Sequence, residues 1–425
     1  MTTITIHPQQ LKGAVHVPPS KSMAHRAIIC ASLARGKSTI RNIEYSQDIE
    51  ATISAMKALG TMIFQYEDYL EIDGTTTFMK DYIDINCHES GSTLRFMIPI
   101  SIVYEANVHF QGEGRLGKRP LDVYYHIFDQ QGIGYLYREN ILDLYIRGQL
   151  HGGKFEIPGD ISSQFISGLL FALPLMMEDS EIVITSPLQS KGYIDLTLQM
   201  LEQYGIRIIN QNYQKLIISG QQQYRPCDYD VEADFSQAAF YLVAGALQNQ
   251  VTIKGLNLAS QQGDKEVIEI LKRMGCQLVA NQEGYQITCQ QLQATYIDGS
   301  QCPDIIPVIA LACACSQGVS IIDHIERLRI KECDRLKATV EVINQLGGYA
   351  IEKENAMEIH GVSQLKGGYV SAYNDHRMAM MEAIAATICK EDIIIDQKEC
   401  VKKSYPRFWE DFCMLGGTYD ECNLG

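Results

Sequence analysis

Six times along the chain a short polar cluster runs into an apolar segment rich in small residues. The segments are "SKSMAHRAIICASL" from Ser20, "SGSTLRFMIPISIV" from Ser90, "SSQFISGLLFALPLM" from Ser162, "FSQAAFYLVAGAL" from Phe235, "PDIIPVIALACACSQG" from Pro303 and "NDHRMAMMEAIAATI" from Asn374. The steps between these starting residues are 70, 72, 73, 68 and 71, a repeat of about 70 residues. In the first copy Met23, Ala27, Ile28, Cys30, Ala31 and Leu33 suit a buried helix, Pro18 and Pro19 stop anything upstream, and Gly36 is the expected C-terminal stop. Between the copies lie alternating strand patterns such as "GKFEIPG", "EIVITS" and "VTIKGL", and amphipathic helices such as "IEATISAMKALG", "DLTLQMLEQYG" and "KEVIEILKRMG". Each repeat therefore reads as strands plus two helices. Six repeats make two α/β domains of three, joined near Tyr229 to Gln237.

The polar clusters fall where helix N-termini leave unpaired backbone N–H groups and partial positive charge. Ser20, Lys21, Ser22 and Arg26 at such an end would complete an anion pocket, although for that one cluster taken alone an ordinary serine cap with solvent-facing charges is the simpler account. Six clusters are harder to explain as caps alone. If several of these helix ends converge, their Lys, Arg, Ser and Gln residues form one site.

Composition sharpens this reading. A chain of 425 residues exceeds one ordinary core, and 46% hydrophobic residues pack both domains well. The formal charge of −15 excludes the basic field of a general nucleic-acid or membrane-surface binder, so any anion site is built locally. The 13 cysteines form no CxxC pair, no HExxH occurs, and no apolar run reaches the roughly 18 residues of a membrane span. With no targeting pattern in "MTTITIHPQQ", a reduced cytoplasmic protein without metal or other cofactor is expected. "GEGRLG", Gly112 to Gly117, matches GxGxxG, but Lys118, Arg119 and Pro120 follow where a dinucleotide fold needs a helix, so a loop is expected. "RGKST" lacks the first glycine and the preceding strand of a P-loop.

"PPSKSMAHR", "GKRPLD", "DISSQF", "RIKECDRL", "YNDHRMAM" and "KKSYPRFW" together, in this order along essentially the whole chain, resemble the 5-enolpyruvylshikimate 3-phosphate synthase family. The resemblance implies two similar domains, each of three βαβαββ repeats forming an inverse α/β barrel, with the active site in the interdomain cleft. The expected domains are 1–18 plus 232–425 and 19–231. It also implies transfer of the enolpyruvyl group of phosphoenolpyruvate to the 5-hydroxyl of shikimate 3-phosphate, with release of phosphate through a tetrahedral intermediate, by a monomer. Both substrates carry a phosphate and a carboxylate, which forked Arg residues bind bidentately.

Carried over by motif, Lys21 touches both substrates. Ser22, Arg26, Ser162, Ser163, Ser190, Tyr193, Asp304 and Lys331 hold shikimate 3-phosphate, Gln164 lies where the substrates meet, and Gly91, Arg119, Arg335, Arg377 and Lys403 hold phosphoenolpyruvate. The chemistry needs one group to take the hydroxyl proton and another to give and remove a proton at carbon. Asp304 resembles the first and Glu332 the second, with Lys21 and His376 sharing proton traffic. Asp304 also reads as a helix cap, Glu332 as an i,i+3 partner of Arg335, Ser190 as a turn residue and Tyr193 as a packing aromatic. The chain departs from the family pattern at Glu89, where Asn is usual, at Arg327, which replaces an Asn that touches the shikimate phosphate in some members and either serves that anion more strongly or points away, and at Ala24 and Phe96. The resemblance further implies inhibition by glyphosate, with Glu89 and Phe96 flanking the Gly91 position. Two alternatives are a UDP-N-acetylglucosamine enolpyruvyl transferase of the same fold and a non-catalytic metabolite sensor.

Overall fold

The computed structural model describes residues 2–80 and 82–422. Its helices are α1 (Lys21–Leu33), α2 (Gln47–Ala58), α3 (Gly91–Ser101), α4 (Asp122–Gln131), α5 (Ser163–Ala172), α6 (Lys191–Gln203), α7 (Phe235–Ala246), α8 (Glu266–Arg273), α9 (Ile306–Ala314), α10 (Arg335–Gln345), α11 (His376–Ala386) and α12 (Phe408–Met414). The six small-residue segments are α1, α3, α5, α7, α9 and α11. Ser20, Ser90 and Ser162 cap the first three with their side chains, and Asp234 and Asp375 cap α7 and α11. α9 differs: Pro303–Ile305 forms a 3-10 lead-in, and no side chain caps the helix. α1 ends at Leu33, three residues short of Gly36, because Ala34 already turns extended toward the strand Lys37–Arg41.

The chain splits into two compact units, a first made of Met1–Pro18 and Ala233–Gly425 and a second of Pro19–Glu232. Each holds three four-stranded sheets of one topology. Tyr82–Asn86 and Ala106–Gln111 pair in parallel across α3, and the hairpin Gly134–Arg138/Ile141–Gly148 adds antiparallel after α4, giving the order β-α-β-α-β-β. Parallel neighbours need a crossover and antiparallel ones only a turn, so the unit buries one helix and covers its sheet with the second. Three sheets take a strand from far along the chain. Thr3–His7 pairs antiparallel with Ile393–Ile395 and Thr418–Cys422, and Lys12–His16 in parallel with Gln250–Lys254, which makes the first unit discontinuous; in the second, Tyr229–Asp230 pairs in parallel with Lys37–Arg41. Among the described residues the sheets are six separate four-stranded sheets, with no closed barrel of strands.

Apolar burial follows the repeat. α7, α9 and α11 contact one another in the first unit, and Phe240, Leu242, Ile309, Leu311, Met380 and Ile384 are essentially inaccessible there. In the second unit α3 lies against α5 so closely that a Cβ on Gly168 would sit 2.4 Å from the Arg95 carbonyl oxygen, which fixes glycine at that crossing.

Candidate active site

In the second unit, the Ser20 hydroxyl accepts from the Met23 N–H at the head of α1, and Lys21 Nζ lies 2.7 Å from Asp48 Oδ2 on α2. One turn on, buried Arg26 donates to Thr197 Oγ1 (2.8 Å), the Tyr193 carbonyl (2.9 Å) and the Ser22 carbonyl (2.7 Å), and rides over the Phe96 ring at 5.3 Å. Burial pulls its guanidinium down to about 10. Phe96 thus lies under Arg26 and edge-on to Phe171, inside the core. At the head of α5, Ser162 accepts from the Gln164 N–H and Ser163 is buried. The Gln164 side chain is held at both ends: Arg95 Nη1 donates to its oxygen (2.8 Å), and its NH2 donates to Ser92 Oγ (3.0 Å). Ser190 precedes α6 in the left-handed region at φ 54°.

Gly91 opens α3 with the Arg119 guanidinium against it; a Cβ there would stand 2.6 Å from Arg119 Nη1. Arg119 follows a single 3-10 turn, Leu116–Lys118, in the loop that contains "GEGRLG". Glu89 folds its carboxylate over Gly114 of that loop, whose φ of +57° and lack of a side chain leave room for it.

In the first unit the cations arrive already paired. Arg335, at the start of α10, donates to Asp375 (Nε to Oδ2, 2.7 Å), Asp304 (Nη1 to Oδ1, 2.9 Å) and Glu332 (Nη2 to Oε2, 2.7 Å). Lys331 Nζ reaches the same Asp304 oxygen at 3.1 Å, and Lys403 Nζ lies 3.8 Å from the other Glu332 oxygen. Arg377 donates to the Ser236 carbonyl and hydroxyl, both at 2.8 Å. His376 is buried with Nδ1 3.8 Å from Asp375. Arg327 is mostly buried in the turn Glu326–Ile330.

Burial opposes the Asp304 charge, but Lys331, Arg377 and Arg335 outweigh it and hold this carboxyl well below the usual carboxylate range. Lys331 moves down because burial, reinforced by Arg335 and Arg327, exceeds the pull of Asp304. The expected Glu332–Arg335 pair is present, whereas Asp304 spends its carboxylate on cations and does not cap α9.

Three residues with direct roles here escaped the sequence reading: Asp48, Arg95 and Asp375. Asp375 stands inside the "NDHRMAM" motif and Arg95 inside "SGSTLRF", so motif membership was the available signal for both; Asp48 carried none. Among the described residues no helix is long and apolar enough to cross a membrane and no group of three or more His, Cys, Asp or Glu side chains is placed to hold a metal ion.

Six β-α-β-α-β-β repeats, three to a unit, have the fold of solved enolpyruvyl transferases. Solved structures of EPSP synthase from Acinetobacter baumannii (TM-score 0.82, 23% identity, all of both chains) and of the enolpyruvyl transferase NikO from Streptomyces tendae (TM-score 0.80, 14% identity, 99% and 98% of the chains) share it. Residues 6–412 match the family described as EPSP synthase (3-phosphoshikimate 1-carboxyvinyltransferase). Over all of both chains, identity is 55% to the 3-phosphoshikimate 1-carboxyvinyltransferase of Clostridium botulinum strain Alaska E43 and 50% to that of Clostridioides difficile strain 630. The chain belongs to the EPSP synthase family.

Proposed function

We infer that this protein transfers the enolpyruvyl group of phosphoenolpyruvate to the 5-hydroxyl of shikimate 3-phosphate and releases phosphate, a step in aromatic amino acid biosynthesis. Full-length identity of 55% to a relative of that name carries the reading. The geometry supports it within each unit. In the second, Ser22, Arg26, Ser162, Ser163, Ser190 and Tyr193 hold shikimate 3-phosphate, while Lys21, Gly91, Arg119 and Gln164 meet phosphoenolpyruvate. In the first, Asp304, Arg327 and Lys331 serve shikimate 3-phosphate, and Arg335, Arg377 and Lys403 serve phosphoenolpyruvate. The two domains of the enzyme are 1–18 plus 232–425 and 19–231, and it acts as a cytoplasmic monomer; a single species near the chain mass of 47.7 kDa in light scattering is the expected result.

Asp304 takes the hydroxyl proton and Glu332 exchanges the proton at carbon, with Lys21 and His376 assisting. While Lys331 and Arg335 stabilise its anion, Asp304 is a poor base. Substrate phosphate and carboxylate groups compete for those cations. As Arg335 and Lys331 turn to the ligand, the proton affinity of Asp304 rises toward what the reaction needs. Binding thus switches on the base.

Phosphate release from phosphoenolpyruvate tests the reading. Release with shikimate 3-phosphate and none with UDP-N-acetylglucosamine is expected. The reverse selectivity would assign the UDP-sugar reaction, and release with neither would assign a sensor.

A further inference from the structure

A row of buried polar side chains in the second unit has no place in the chemistry above. His25 Nδ1 lies 2.7 Å from Thr52 Oγ1, Thr52 Oγ1 lies 2.7 Å from Thr93 Oγ1, and Thr93 Oγ1 lies 2.7 Å from Ser90 Oγ. His25, Thr52, Thr93 and Ser90 are all fully buried. The row joins three helices: α1 one turn past Lys21, the middle of α2, and the first turn of α3 with its cap.

Donor counting gives the row a direction. A threonine hydroxyl has one proton, and that of Thr93 goes to an acceptor at the head of α3, Ser90 Oγ at 2.7 Å, or to the Asp48 carbonyl at 3.5 Å. Thr52 must then donate to Thr93, and His25 Nδ1–H to Thr52. The imidazole is left with Nε2 bare; among the described residues that nitrogen has no hydrogen-bond partner. Burial pushes this histidine down to about 3, so it stays neutral, with its one ring proton assigned to Nδ1 by the donor count. A bare nitrogen in the core costs stability. The fold carries that cost at a point whose only described polar contact is the row itself.

The row ends on the residue that shapes the head of α3. Ser90 Oγ also accepts from the Thr93 N–H as the cap of the helix whose first residue is Gly91. Thr93 faces the Asp48 carbonyl, and the Asp48 carboxylate holds Lys21. The heads of α1 and α3 are therefore tied through α2. Arg26, on the same helix as His25, is anchored through a separate network on α6: Thr197 Oγ1 accepts from it, lies 2.8 Å from Ser167 Oγ and donates to the Tyr193 carbonyl.

We propose that His25, Thr52 and Thr93 are positioning residues which set the head of α3 against that of α1, so that Gly91 and Lys21 meet the phosphoenolpyruvate phosphate in register, while Thr197 separately sets Arg26 for shikimate 3-phosphate. This rests on the reading above that Gly91 and Lys21 contact phosphoenolpyruvate and Arg26 contacts shikimate 3-phosphate. A hydroxyl row specifies helix position tightly because each member has one proton and a short, directional bond to satisfy.

Steady-state kinetics of the full-length enzyme tests the split. Thr52→Val, which keeps shape and removes the donor, should raise KM for phosphoenolpyruvate about tenfold, or ~1.4 kcal/mol. Its KM for shikimate 3-phosphate and its kcat should stay within about twofold. Thr52→Ser, which keeps the hydroxyl, should restore the wild-type value, and Thr197→Val should raise KM for shikimate 3-phosphate instead. Lys21→Ala serves as the control. If it abolishes turnover while Thr52→Val is kinetically wild type, the relay is overturned and the substrate assignment stands. If Lys21→Ala is itself near wild type, the assignment beneath the relay has failed. Equal rises in both KM values in Thr52→Val, or a fall in melting temperature and kcat shared by Thr52→Ser, would mean that the row only packs the core and would likewise overturn the proposal.

Discussion

The first unit holds its buried cations in one shared cluster of carboxylates, whereas the second holds its helix heads mostly with hydroxyls, an amide and backbone around a single ion pair, Lys21–Asp48. Arg335 is buried among three carboxylates, and Lys331 and Lys403 sit beside two of the same three. In the second unit Ser20, Ser90 and Ser162 cap helices, Gln164 is braced by Arg95 and Ser92, and Thr52 and Thr93 run between helices. A charged network in a buried site is stiff only while its charges balance; an anionic substrate rewrites it. A network made mostly of neutral groups changes less when an anion arrives, so it serves as the more fixed template. Proton transfer is accordingly assigned to the unit whose charges can be rearranged.

The largest effect that separates the two is on turnover. Glu332→Gln keeps shape and should cut kcat by about 10²–10⁴-fold with modest change in KM, whereas Ser163→Ala should act mainly on KM for shikimate 3-phosphate. Near-normal kcat in Glu332→Gln would remove the first unit's claim to the proton chemistry. Asp375→Ala comes next. It leaves the Arg335 guanidinium, 2% exposed, short of its strongest partner, and loss of one member of a buried pair costs about 3–5 kcal/mol. Chemical denaturation should show that loss, and a loss below about 1 kcal/mol would show that Asp304 and Glu332 balance Arg335 without it.

Gly91→Ala probes the second unit. The added Cβ meets the flexible end of Arg119 before it meets any ligand, so KM for phosphoenolpyruvate should rise. Inhibition by glyphosate, a longer molecule than phosphoenolpyruvate, is expected in the wild type, and Gly91→Ala should weaken it more than it weakens phosphoenolpyruvate. Equal losses for substrate and inhibitor would show that Arg119 displacement, rather than space at residue 91, sets the discrimination.

Helix heads were legible in the sequence because capping is local: Ser20, Ser90 and Ser162 act within three residues of themselves. The countercharges were not. Asp48 stands 27 residues from Lys21, Asp375 stands 40 from Arg335, and Gln164 stands 69 from Arg95, and no spacing rule spans sheets that form only in three dimensions. Phe96 shows the same limit. The family resemblance sets it beside the Gly91 position, and only the fold shows it lying under Arg26 and edge-on to Phe171. The repeat itself gave two α/β domains of three units, since a 70-residue period with two helical patterns leaves few arrangements that bury six small-residue helices; the strand order within a unit and the discontinuous first domain came only from the family resemblance.

Acid should separate the units as well. Asp304 has a folded pKa below its unfolded value, so its stabilising contribution is complete above an unfolded pKa of about 3.9 and is lost as pH falls through the folded value. Hydrogen exchange at falling pH should therefore loosen α9 and α10 before α1 and α3, and Asp304→Asn should flatten that response. Uniform loosening of both units would mean that the paired charges of the first confer no special acid sensitivity.

The smallest effect has the opposite sign and lies at the edge of the same unit. His7 ends the strand Thr3–His7, with Nδ1 3.1 Å from Asp392 and Nε2 3.1 Å from Asp420, the latter on the neighbouring strand Thr418–Cys422. Hydrogen bonds to Asp392 and then Asp420 raise its pKa above 6.5. A raised folded pKa places the full stabilising contribution below the unfolded value and removes it as pH climbs through the folded one. Exchange of the Thr3–His7 amides, corrected for the intrinsic rate, should thus increase between about pH 6 and 8 while the heads of α1 and α3 stay unchanged, and His7→Gln should abolish the dependence. Because the imidazole is open to solvent, 0.5 M salt should weaken the effect; a response insensitive to salt would point to a group other than this exposed ion pair.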